Sequence, residues 1–165
     1  MLRPTTLLAA LATAIFLAAT PFAAAQQQES LDQMFAKQIP DEGVQAAIKR
    51  SLSSIQTATC ENKKPCAPAT AAELAKPPIT VNDGRAAMVF GIKSAMAEWC
   101  GLDMKRSFLT MIFIGKNNLK MNERQLMLMT LIHGEAMAGQ TKIAGTRGPC
   151  PPDLKQELDN NMPKM

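Results

Sequence analysis

From Asp83 to Gly139 apolar residues recur at helical spacing, interrupted only by a Trp99-Cys100-Gly101 corner and a polar KNNLK loop. That pattern leaves little room for a sheet. Met88, Val89, Ile92, Ala95, Met96 and Trp99 fall at i, i+1, i+4, i+7, i+8 and i+11, one stripe along a helix that begins at Thr80 or Asn82. Ser94 and Glu98 are expected on its opposite, wet side. Gly101 suits the left-handed position that ends a helix, and Asp103 follows as the cap of the next. This second helix, Met104 to Ile114, keeps Lys105, Arg106 and Ser107 exposed at its start. Its LTMIFI run is apolar on every side, and Gly115 is expected to stop it. A third helix starts at Asn122, where Gln125 completes a capping box and Met121 staples against Leu126. Residues 126–138 are apolar round most of the circumference, as in a helix buried among others.

Upstream, Leu31, Met34 and Phe35 form one short turn that docks on the core. Asp41 is read as the cap of an amphipathic helix whose stripe is Val44, Ala47, Ile48, Leu52, Ile55 and Ala58, ending near Thr59. Pro65, Pro68, Pro77 and Pro78 forbid a continuous helix over 60–80, although Thr70-x-x-Glu73 caps one short turn. Beyond Gly139, Gly145, Gly148 and Pro149-Cys150-Pro151-Pro152 describe a loop, and Asp153 to Asn160 a short terminal helix. Period-two alternation and hairpin turn signals are both missing. The fold class read from this is all-α, a small disulfide-stapled helical bundle of four main helices plus short terminal helices. Residues 26–165 form a single helical domain, in which 60–80 is a Pro-rich connector pinned by its disulfide and 80–150 the central block.

Residues 1–25 are set apart. Arg3 gives a positive start, Leu7 to Ala19 an apolar run too short to span a bilayer, and Ala23-Ala24-Ala25 a cleavage site before Gln26. This is a secretory signal peptide of alanine-rich, bacterial style, so the protein is expected in the periplasm or secreted, without a stable membrane span after cleavage. Of the net charge of +4, Arg3 contributes one, which leaves a mild excess of +3. Its scatter and the lack of Tyr argue against nucleic acid as a partner.

Four cysteines in an exported chain imply two disulfides, with three pairings open. The favoured set is Cys60–Cys66, closing the CENKKPC loop across its Lys-Pro turn, and Cys100–Cys150, tying the central corner to the C-terminal arm. On the chain-entropy model the longer closure stabilises by roughly 4 kcal/mol and the shorter by about 2 kcal/mol. Their spacing matches no zinc pattern.

Catalytic motifs are missing: there is no G-x-S-x-G, H-E-x-x-H, P-loop or C-x-x-C. The chain is therefore read as acting without catalysis, cofactor or metal. Two alternatives are kept. An envelope-acting hydrolase would use Glu98, beside Trp99, or His133 as its acid–base group. A dyad of His133 with Glu135 is disfavoured, because residues two apart on a helix do not face each other. A Cu(I)-handling protein would use Met129, His133 and Met137, spaced four apart on one helix face. Methionine also fills irregular helical cores, and these positions lie in an apolar run.

Cys100 and Cys150 lie fifty residues apart and enclose helices, with Phe108-Leu109 after the first cysteine. In this the chain resembles the small periplasmic acid-stress chaperones, helical proteins with one disulfide that release apolar surface on acidification. The likeness covers under half of the chain. Those proteins lack an arm like residues 26–80 and place their Phe-Leu nearer the cysteine. The resemblance implies stress-chaperone-like action through contacts with other envelope proteins, with apolar surface exposed near pH 3.

Overall fold

A computed structural model describes residues 31–60 and 63–162, so the expected signal peptide lies outside the described residues. Seven α-helices run through these residues: α1 (Leu31–Gln38), α2 (Asp41–Ser53), α3 (Ala71–Ala75), α4 (Val81–Trp99), α5 (Lys105–Phe113), α6 (Glu123–Ala144) and α7 (Pro152–Asn161). No strand occurs among the described residues, and the protein is all-α. None of the helices is long and apolar enough to cross a membrane.

Helix starts follow local chemistry. Thr70, Thr80 and Asn122 each accept a hydrogen bond from the amide three residues on, and the side chain there answers at the cap's own amide. These capping boxes satisfy backbone donors that a helix leaves free at its first turn. Gly101, at φ +66°, ends α4 in the left-handed region. Its amide bonds to Glu98 and that of Leu102 to Ala97, the paired closure that a C-terminal glycine allows. Asp103 was expected to cap α5, but Met104 occupies the N-cap position, and Asp103, one residue further out, accepts from the Lys105 amide at 2.9 Å.

Helix α4 is the axis on which the others lie. Two glycines let its neighbours come close: a Cβ at Gly84 would sit 2.8 Å from Ile48 and 2.9 Å from Val44 on α2. One at Gly91 would overlap the His133 carbonyl of α6. The main core joins Val44, Ile48 and Leu52 of α2, Ala87 of α4, Met111 of α5 and Leu128, Met129 and Ile132 of α6. A second cluster sets Leu158 of α7 against Met96 and Cys100. Both expected disulfides are present, Cys60–Cys66 with Cα atoms 5.1 Å apart and Cys100–Cys150 at 5.0 Å. Such bridges mark a chain that matures in an oxidising compartment.

Several expectations are corrected. Pro40, not Asp41, occupies the N-cap of α2; Asp41 sits in the first turn and pairs with Arg85. Helix α2 ends at Ser53, and Ile55–Thr57 follow as a 3-10 turn. Gly115 does not stop α5, which runs on as a π-helical turn over Ile114–Asn118. Buried against Leu126, Gly115 leaves no room for a Cβ, which would meet Leu126 Cδ2 at 2.6 Å. Helix α6 is not enclosed on most sides, since Gly134, Glu135, Ala138 and Gly139 face solvent, and it continues to Ala144. Apart from Glu135, the small side chains of that face carry no polar label in the sequence.

The 60–80 connector is held by contacts of its own. Arg124 of α6 forms a bidentate pair with Glu73, one arm at 2.8 Å, and reaches the Ala67 and Pro68 carbonyls. Gln125 donates to the Pro78 carbonyl at 2.7 Å.

The two kinds of helical glycine set up a contrast. Gly91→Ala is expected to lower stability by about 2 kcal/mol, because overlap with the α6 backbone outweighs the better helix former. Gly134→Ala, which meets nothing within 4 Å, is expected to raise it by up to about 1 kcal/mol. Urea denaturation of the two variants checks both signs.

Candidate functional site

The only histidine lies where α4, α5 and α6 meet. His133 is 6% exposed, and its Nε2 stands 2.9 Å from Ser94 Oγ, itself 1% exposed. The Phe108 ring lies 5.1 Å away, tilted by 59°. Ser94 Oγ is also 3.1 Å from the Met104 carbonyl, which can only accept. The hydroxyl therefore donates to Met104, and a neutral His133 donates from Nε2 to Ser94. One level away, Ser107 donates to the Phe90 carbonyl at 2.9 Å, a second tie between α5 and α4.

Ser94 was expected on the wet side of its helix; it is buried instead. Burial there comes from α5 and α6 closing over the middle of α4, not from the α4 stripe; Asn82, Ala86 and Glu98 stay exposed. Glu98, one turn on, is exposed as expected, and Thr141 Oγ1 approaches it at 3.5 Å. Glu135 turns away from His133 and binds Arg50 of α2.

Burial pushes His133 down to about 4 from an ordinary 6.5. Across the contact, α4 offers Ser94 and the Gly91 backbone, and α5 offers Phe108. Among the described residues no carboxylate bonds the ring. Glu73 is shifted too: hydrogen bonding from Arg124, then the Thr70 amide, lowers its carboxyl to about 2.

The arrangement resists nucleophilic chemistry. A catalytic serine needs its proton drawn to the histidine and a route for substrate, whereas here the proton goes to a carbonyl and the oxygen is sealed. Among the described residues, no three of His, Cys, Asp and Glu gather as a metal site. Of the copper set, Met129 is enclosed in the main core, Met137 is half-buried, and His133 Nε2 is taken by Ser94.

Two other features were not foreseen. Lys93 is 2% exposed, with Nζ 3.4 Å from the Asn161 carbonyl and 5.9 Å from the Phe90 ring centre. Arg106 binds Asp159 at 2.7 Å and the Met162 carbonyl at 3.0 Å, so α7 is a fixed part of the body. Comparison with protein-family models, curated proteins and solved structures finds no match for this chain.

Between pH 6.5 and about 4 the unfolded chain binds a proton at His133 that the folded chain refuses. The stabilisation from keeping this ring neutral is full above pH 6.5 and lost as pH falls towards 4, in total about 3 kcal/mol. The Glu73 contribution is full above 4.5 and lost as pH falls towards about 2. Stability measured by urea denaturation is expected to drop across the first window in the native protein. In His133→Gln, whose amide can still donate to Ser94, that drop disappears while the one below pH 4.5 remains.

Proposed function

We propose that this protein works through contacts with other proteins in the periplasm or outside the cell, and that acid loosens its helical packing to create the surfaces it binds with. The reading rests on one observation, the burial of a neutral histidine in the seam of α4, α5 and α6. Charging that ring places an unpaired cation among Phe108 and the apolar core, which costs several kcal/mol if nothing moves. Separation of α6 from α4 relieves it and uncovers Leu128, Met129 and Ile132. Methionine-rich helical surfaces of this kind adapt to varied apolar partners.

Below pH 4.5 the net stabilisation from the Glu73–Arg124 clasp at the start of α6 also declines, although the pair itself persists until the pH nears 2. The Cys100–Cys150 bridge does not titrate, so α4 and the C-terminal arm stay joined while α6 shifts. The opened state is thus tethered rather than fully unfolded. Binding would reverse on neutralisation, as His133 sheds its proton and the seam closes.

Acidification of the oxidised protein from pH 7 to about pH 3 is expected to raise the fluorescence of an apolar-surface dye several-fold and to suppress aggregation of an acid-unfolded client. His133→Gln is expected to move the onset to lower pH. A dye signal that stays flat through this range, in protein shown to be native at the start, rules the reading out.

A further inference from the structure

Of the large apolar side chains exposed among the described residues, half lie on the outward side of α5 and just past it. Lys105, Leu109 and Phe113 follow one another four residues apart along one face, and Leu109 and Phe113 are 44% and 61% exposed. Leu119, just past the π turn, is 52% exposed. Lys116 and Lys120 border it, both exposed. From Met104 to Asn122 the chain has four basic residues and no acidic one; Lys105, Lys116 and Lys120 are exposed, while Arg106 is tied to Asp159 of α7. Asp103 and Glu123 at its two ends are used in starting α5 and α6. The backbone is irregular at the same place: Lys120 has a φ of +53°, rare for a residue with a side chain, and the preceding turn is π-helical. Both irregularities concentrate where chains do something other than pack.

We propose that this face docks the folded protein onto an anionic lipid bilayer. An apolar strip flanked by lysines is the pattern of a helix lying in the headgroup layer, with ammonium groups at phosphate level and Leu and Phe below. A protein partner fits less well. The three exposed apolar side chains offer on the order of 300 Å², against about 800 Å² a side for a stable interface. Charge and grease both suit a flat surface of phosphates, and the attachment is shallow and salt-sensitive.

The test is vesicle flotation of the oxidised full chain at about pH 7, where the acid-driven opening plays no part. Phosphatidylcholine vesicles are compared with vesicles containing roughly a third phosphatidylglycerol. About tenfold or greater preference for the anionic vesicles is expected, abolished by about 0.5 M salt. Lys116→Glu/Lys120→Glu is expected to remove the preference, and Leu109→Ser/Phe113→Ser to weaken binding about tenfold. All four side chains are exposed, and circular dichroism verifies that each variant keeps the native helix content. Equal recovery with both vesicle types overturns the proposal, as does unchanged binding by the charge-reversed variant. Full displacement from the vesicles by soluble polyglutamate at equal charge overturns it in favour of an acidic protein partner.

Discussion

Close approach of helix backbones at Gly91 is the contact from which the remaining architecture follows. With no side chain there, α6 settles onto α4 until the His133 carbonyl occupies the space a Cβ would fill. That depth brings Leu128, Met129 and Ile132 into one core with α2 and α5, and turns His133 towards Ser94. Gly84 does the same for α2, one further contact along the axis. Dense packing of this kind tolerates little addition of volume, so the interior is fixed by what α4 lacks as much as by what it carries.

Charged side chains divide along the same lines. Four arginines each tie two elements: Arg85 joins α4 to Asp41 of α2, and Arg50 joins α2 to Glu135 of α6. Arg124 joins α6 to Glu73 of α3, and Arg106 joins α5 to Asp159 of α7. A planar guanidinium with several donors can satisfy a carboxylate and a carbonyl together, as Arg124 and Arg106 do. Among the described residues lysines mostly remain outside, and the buried Lys93 anchors the end of α7.

What could be read from the residues was the local chemistry. Caps at Thr70, Thr80 and Asn122 and the glycine stop at Gly101 involve neighbours within five positions, so the sequence contains both partners. The disulfide pairs were legible for a related reason, as one closes a short loop and the other ties the only remaining pair. Ser94 and Lys93 were not, because their burial is decided by helices that arrive from elsewhere. The Ser94–His133 bond spans 39 positions and has no spacing to betray it. Asp41 was misread because Pro40 already provides the extended cap residue and Arg85 claims the carboxylate. The π turn at Ile114–Asn118 depends on Gly115 wedging against Leu126, a contact outside the reach of periodicity.

The single tryptophan sits at the junction of the C-terminal arm. Trp99 donates its indole N–H to the Gly148 carbonyl at 2.8 Å, next to the Cys150 bridge, and packs with the smaller of the two apolar clusters. Its light emission is consequently a gauge of whether the arm is seated. The larger core, beside which the imidazole lies, contains no tryptophan of its own, so the optical label is carried by the smaller cluster.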